Sequence, residues 1–203
     1  MRIGVLALQG AFQEHLQALA DLGAEAVAVR LPQQLRGLAG LIIPGGESTT
    51  IGKLATMYGL LPAIEDLAEG GCPIWGTCAG LVLLARELVG YEEQPRLRLL
   101  DIAVRRNAFG RQVDSFQTLL SVPALDEVAE PQERGQPFPA VFIRAPLIER
   151  VGAGVATLSA LADGSVVAVK QGRLLATSFH PELTADRRCH RYFLSLAGAN
   201  SHS

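Results

Sequence analysis

The 203-residue chain is short of cysteine, of long hydrophobic runs and of surplus charge, and each shortage excludes a class of protein. Its three cysteines, Cys72, Cys78 and Cys189, are odd in number and form no C-x-x-C pair. Neither a disulfide framework nor a zinc site is expected, and no metal is called for. No apolar stretch approaches the roughly 20 residues that a membrane-spanning helix requires, although mean hydropathy is +0.25. One arginine followed by the short run 3–8, with no cleavage site, is the wrong shape for a secretion signal, so a cytoplasmic protein is expected. Eighteen Lys and Arg against 20 Asp and Glu leave a formal charge of −2. That balance lacks the clustered positive charge that neutralises phosphates, which argues against a nucleic-acid partner. What is present is apolar: 49% hydrophobic and 19% charged residues exclude disorder. The length fits one domain over 1–203, with 197–203 as a frayed tail.

Short apolar runs at Ile3–Leu8, Ala26–Val29, Leu41–Ile43 and Pro73–Trp75 read as strands buried on both faces. Helical spacing follows them: Phe12, Leu16 and Leu19, then a helix capped by Ser48 and running through Leu54, Leu60–Leu67, and Ala79–Leu88. Alternating strands and helices make an open, mostly parallel sheet flanked by helices, an α/β fold of flavodoxin-like type. The second half reads instead as strands at Leu99–Val104, Phe116–Val122 and Val141–Ile143. An antiparallel section then spans Val155–Ser178, where Asp163-Gly164 is a strong hairpin signal. Arg187–Leu196 forms a closing helix, and the proline-rich stretch Pro131–Pro139 a surface loop.

Trp75-Gly76-Thr77-Cys78-Ala79-Gly80 sets G-x-C-x-G between a strand and a helix, the layout of a nucleophile elbow with cysteine as the nucleophile. Glycines let neighbouring backbone approach, and amides at the start of the helix favour thiolate. The Ala79 amide falls where an oxyanion donor is needed. A buried cysteine at a glycine-rich turn has the same pattern, and this stretch alone does not separate the two. A nucleophilic cysteine needs a base, and the base needs an orienting acceptor. Among the four histidines, His202 lies in the tail and His190 in the last helix, while His15, next to Glu14, is expected on a solvated helix face. His180 differs. It follows an apolar strand, and in extended chain Glu182 projects to its side, with Pro181 stiffening the pair. Pro44-Gly45-Gly46-Glu47-Ser48-Thr49-Thr50 adds a turn with exposed amides, suited to an oxyanion. It has no P-loop lysine, which argues against a nucleotide. In an open parallel sheet such turns meet at the carboxyl ends of the strands, where ligands bind.

The G-T-C-A-G elbow, the G-G-E-S turn and the late H-P-E together resemble the class I (triad) glutamine amidotransferases. Leu8-Gln9-Gly10, residues 44–50, the run 106–112 (R-N-A-F-G-R-Q), Phe142-Ile143-Arg144-Ala145-Pro146 and residues 178–184 (S-F-H-P-E-L-T) narrow the likeness to the PdxT family, glutaminase subunits of pyridoxal 5'-phosphate (PLP) synthase. The blocks run in order along nearly the whole chain, and extra length around Asp126–Pro139 is the main departure.

The resemblance implies Cys78 as nucleophile with His180 and Glu182 completing a triad, and Gly46 and Ala79 at the oxyanion hole. It implies that Gly46, Glu47, Ser48, Arg106, Ile143 and Arg144 bind L-glutamine, with Gln9-Gly10 flanking the cleft. An arginine there suits a substrate whose α-carboxylate a guanidinium grips bidentately. The partner it implies is a (β/α)8-barrel synthase subunit that consumes the ammonia. PLP is then the product of the complex, and the chain needs no cofactor. Two alternatives stand beside this reading: a glutaminase subunit feeding another synthase, such as that of histidine biosynthesis, and a non-catalytic regulatory subunit of the same fold.

Overall fold

A computed structural model describes residues 1–106 and 115–199. Its first half alternates strands and helices: β1 (Arg2–Leu6), α1 (Phe12–Asp21), β2 (Glu25–Val29), β3 (Gly40–Ile43), α2 (Ser48–Met57), α3 (Leu60–Glu69), β4 (Ile74–Thr77) and α4 (Ala79–Leu84). The remainder is mostly strands: β5 (Ala85–Leu88), β6 (Leu100–Arg105), β7 (Ser115–Leu120), β8 (Phe138–Ile143), β9 (Leu147–Val151), β10 (Ala156–Ala160), β11 (Val166–Gln171) and β12 (Leu174–Thr177), closed by α5 (Arg188–Gly198).

The main sheet has the order β2-β1-β3-β4-β12-β11-β9-β6-β5, with β10 paired to β11. From β2 to β12 every pairing is parallel; β12-β11, β11-β9 and β9-β6 are antiparallel. A separate antiparallel ribbon joins β7 to β8. Strands of the parallel half are buried on both faces, which is why they read as continuous apolar runs. In β3, Leu41 and Ile43 pack with Ile51, Leu60 and Leu81 from α2, α3 and α4. Ile42 turns to the opposite face, where Trp75, Leu19 of α1 and Phe193 of α5 meet. Each large side chain so buried contributes about 1.5–3 kcal/mol of transfer free energy, and the helices are held to the sheet by that term.

Several boundaries differ from the sequence reading. The helix expected over Ala79–Leu88 stops at Leu84, and Ala85–Leu88 runs as β5 beside β6. Without that strand the outer backbone groups of β6 would lack partners, and their pairing outweighs the helical propensity of an apolar run. β9 was not anticipated, because its solvent-facing Glu149 and Arg150 interrupt the apolar signal. Phe138 and Pro139, assigned to a loop, already belong to β8, and Ala197 and Gly198, assigned to a tail, end α5. The Asp163-Gly164 hairpin forms between β10 and β11, with Gly164 at φ 88° and Asp163 accepting from the Ser165 amide at 2.9 Å.

The parallel register levels the ends of the strands. Thr77 of β4 pairs with Thr177 of β12, and the Cys78 amide donates to the Thr177 carbonyl at 2.8 Å. The segments that leave β1, β3, β4 and β12 therefore emerge along one edge of the sheet, as open α/β sheets require of a ligand site.

Candidate active site

Cys78 follows β4 directly and starts α4, with φ 48° and ψ −101°. Few non-glycine residues adopt that region, so the surrounding packing must hold the thiol there. Gly76 and Gly80 permit the turn: a Cβ on Gly76 would run into the Gly80 carbonyl, and one on Gly80 into the Ile43 carbonyl. Sγ sits 3.9 Å from the Ile143 carbonyl, a long S–H···O contact. The other two thiols are inert by comparison. Burial pushes Cys72 up to about 11, against the pull of Arg173, and raises Cys189 well above the ordinary thiol value.

His180 lies just beyond β12, its amide donating to the Val141 carbonyl at 2.8 Å. Its Nδ1 lies 2.7 Å from Glu182 Oε1. The two meet through a 3-10 turn over Pro181–Leu183, not through the extended alternation that the sequence suggested. Pro181, at the first position of that turn, has the fixed φ the turn needs. Burial works against charge on His180, but hydrogen bonding to Cys78 and to Glu182 overcomes it and lifts the imidazole to about 10. At neutral pH the ring is an imidazolium, poised beside the sulfur with its other nitrogen held by a carboxylate.

The turn after β3 faces this pair. Gly45 lies against both groups, and Gly46 sits close to the Gln9 carboxamide. Gln9 Oε1 accepts from the Glu47 amide at 2.7 Å, which ties the β1 and β3 loops together. The cap of α2 is Glu47 and not Ser48: its carboxylate accepts from the amides of Thr49 and Thr50 at 3.0 and 2.8 Å. Burial opposes the charge, but these bonds and the Thr50 hydroxyl hold Glu47 down at about 2.

A cleft of about 230 Å³ brings together Gln9, Gly46, Glu47, Ser48, Cys78, Ala79, Val82, Arg106, Ile143, Arg144, Pro146 and His180. Every residue that the resemblance assigned to the site except Gly10 and Glu182 thus lines one cavity; Glu182 is buried behind His180. The two arginines are in different states. Arg106 already donates to Thr49 and Gln94 at 2.8 Å and to Glu47 at 3.0 Å, and stacks over Tyr91. Arg144 is exposed, at φ 43°, and no described residue bonds its guanidinium. The rest of the R-N-A-F-G-R-Q block, 107–112, lies outside the described residues. Among the described residues no cluster of three His, Cys, Asp or Glu could hold a metal ion.

His15 overturns the sequence expectation. It is fully buried, not solvated, and its Nε2 lies 3.2 Å from Thr77 Oγ1 and 3.3 Å from Glu182 Oε2. Its Nδ1 lies 3.0 Å from His190 Nε2. Glu14 beside it faces solvent, whereas the spacing of His15, Ala18 and Leu19 at i, i+3 and i+4 marks the inward face of α1. Burial, with the nearby His190 and His180, pushes His15 well below the usual imidazole range. Burial and Arg187 bring His190 down to about 3. Both rings are neutral.

Among the described residues no helix is long and apolar enough to cross a membrane. The SNO glutamine amidotransferase family matches residues 5–197. Relatives described as PLP synthase subunit PdxT include one from Dehalococcoides mccartyi, 59% identical over 198 residues that make up 97% of each chain. One from Deinococcus radiodurans is 54% identical over 100% of each. A crystal structure of a glutamine amidotransferase, 54% identical, superposes with a TM-score of 0.89 over 97% of this chain and 98% of that one. PurLQS from Thermotoga maritima reaches a TM-score of 0.71 at 18% identity, over 96% of this chain and 97% of that one, a likeness of fold alone. A match along almost the entire chain and full-length identities above one half place this chain in the SNO glutamine amidotransferase family.

Proposed function

We propose that the chain hydrolyses L-glutamine to L-glutamate and ammonia and delivers the ammonia to the synthase subunit of PLP synthase. The Cys78 sulfur attacks the side-chain amide carbon of glutamine. Its proton resides on His180, whose charge Glu182 balances. The carbonyl oxygen becomes an oxyanion that the Ala79 amide and the Gly46 turn stabilise. The C–N bond breaks as His180 returns its proton to the leaving nitrogen, and ammonia departs. Water then attacks the glutamyl thioester, with His180 taking the proton, and glutamate leaves as the thiolate reforms. Glu47, Ser48, Arg106 and Ile143 shape the cleft, while the guanidinium of Arg144, which no described residue bonds, is available to the α-carboxylate.

The observation that carries the chemistry is the bond between His180 and Glu182 at the wall of a cleft that contains a strained cysteine. The names of the full-length relatives support PLP synthase over an ammonia-consuming synthase of another pathway. On this reading the partner is a (β/α)8-barrel subunit, PLP is the product and not a cofactor, no metal takes part, and the protein works in the cytoplasm. The test is co-purification with the synthase subunit followed by an assay of glutamine-dependent PLP formation. PLP made in amounts that track glutamine consumed supports the proposal; glutamine hydrolysis without PLP overturns the assignment of the partner. Replacing Cys78 by Ala must abolish hydrolysis in the same mixture.

A further inference from the structure

Glu182 has two carboxylate oxygens, and only one of them touches His180. Oε1 is the acceptor for the His180 ring. Oε2 is buried with no conventional hydrogen bond, and the side chain is wholly inaccessible to water. A buried carboxylate oxygen left unpaired costs free energy and leaves the group free to rotate or to take up a proton. Among the described residues the group placed to prevent this is His15, whose Nε2 stands 3.3 Å from Oε2.

We infer that His15 is a positioning residue for Glu182, carrying its proton on Nε2 and directing it to Oε2, so that the base His180 is oriented by a relay that begins in α1. The inference rests on the triad reading above and adds a member to it that the substrate never meets, since neither His15 nor Glu182 lines the cleft. Two further contacts fix the arrangement. With the proton on Nε2, the opposite nitrogen of His15 must accept, and His190 Nε2 stands 3.0 Å from it as donor. His190 Nδ1 is then a bare acceptor, and it has no hydrogen-bond partner among the described residues. Thr77 Oγ1, 3.2 Å from His15 Nε2, shares that proton and links the relay to β4, which leads into Cys78. Trp75 packs its edge or face against both imidazoles at 5.7 and 5.1 Å and keeps water out. Because His15 is neutral, it orders the carboxylate without competing with the positive charge of His180.

The first test needs no substitution. In wild-type protein with ¹⁵N-labelled histidine, long-range proton–nitrogen correlation is expected to show His15 as the Nε2–H tautomer; a proton on Nδ1 overturns the inference. The second is kinetic, with the synthase subunit present and active sites counted by covalent labelling with 6-diazo-5-oxo-L-norleucine. His15→Leu should lower kcat per labelled site about ten- to a hundred-fold, by analogy with the loss on removing the outer partner of a metal-bound histidine. KM for glutamine should stay unchanged, and His15→Gln, which keeps a donor at the position of Nε2, should recover most of the loss. In a Glu182→Gln background, His15→Leu should cost nothing further. Wild-type kcat in His15→Leu, equal losses in the Leu and Gln variants, or a loss confined to KM overturns the relay. Glutamine hydrolysis by Cys78→Ala would instead overturn the triad itself.

Discussion

Gly45 and His180 occupy adjoining space: a Cβ at Gly45 would overlap Cε1 of the imidazole and lie 2.9 Å from Nδ1 and 3.3 Å from the Cβ of Cys78. The absent side chain is thus the slot in which the base stands. Gly45→Ala is expected to displace the ring by a fraction of an ångström or more while leaving the apolar core intact. Misplacement on that scale costs on the order of a hundred-fold in rate. The check is glutamine turnover alongside a thermal melt: activity lost with the melting temperature nearly kept. Full activity would show that the ring tolerates the intrusion.

Glu182→Gln keeps the shape of the acceptor and removes its charge. The imidazolium of His180 loses one of the two groups that lift it to about 10, so its pKa falls. Turnover should drop about 10²- to 10⁴-fold, the range over which positioned acid–base catalysis acts. A histidine titration followed by NMR on the same variant reads the pKa change directly.

The histidines also set opposing slopes in stability against pH. His180 is raised in the folded state, so its contribution is complete below the unfolded value near 6.5 and is lost as pH climbs through about 10. His15 and His190 are lowered, so theirs is complete above 6.5 and is lost as the solution becomes more acidic, down to about 3 for His190. Urea midpoints are expected to decline on both sides of neutrality. In His190→Gln, which retains a donor for His15 but does not titrate, the acid-side decline should be shallower. An unchanged acid limb would mean that other groups govern it.

Arg144 lines the cleft with no bond to its guanidinium among the described residues, and a charge-assisted bond to a carboxylate contributes about 1.5–3 kcal/mol. Arg144→Ala should therefore raise KM for glutamine about ten- to a hundred-fold with kcat little changed. Arg106→Ala, in contrast, should disturb both parameters, since that side chain braces Glu47, Thr49 and Gln94.

Arg188 anchors the proline-rich loop. Its guanidinium is nearly buried and donates to Asp186 and to the carbonyls of Glu133, Gln136 and Pro137 at distances from 2.6 to 3.1 Å. Arg188→Met strands Asp186 and three carbonyls, and the loss is expected to be about 3–5 kcal/mol. Chemical unfolding, with limited proteolysis to detect opening of 131–137, measures it.

Much of this architecture is legible residue by residue. The β3 run Leu41-Ile42-Ile43 announces a strand covered on both faces, and Gly-x-Cys-x-Gly, read together with the late His-Pro-Glu, points to the elbow, whose glycines the close backbone approaches require. What stayed hidden depends on partners distant in sequence. Ala85–Leu88 becomes a strand only because β6 needs an edge, and the bracing of Arg106 by Glu47 and Gln94 joins segments far apart in the chain. His15 is the sharpest case. Local charge at Glu14 outweighed the helical period, and nothing near position 15 announces that Glu182 will be folded against it.

The level pairing of Thr77 with Thr177 has a consequence for the order of events in the cell. β12 is inserted beside β4 from far downstream, and it supplies both the acceptor for the Cys78 amide and the segment that delivers His180. On the proposed mechanism, a ribosome-bound chain that has emitted Cys78 but not β12 would hold a thiol without its base, unable to spend glutamine. On that mechanism hydrolysis would begin only when synthesis has passed Glu182 and β12 has paired beside β4.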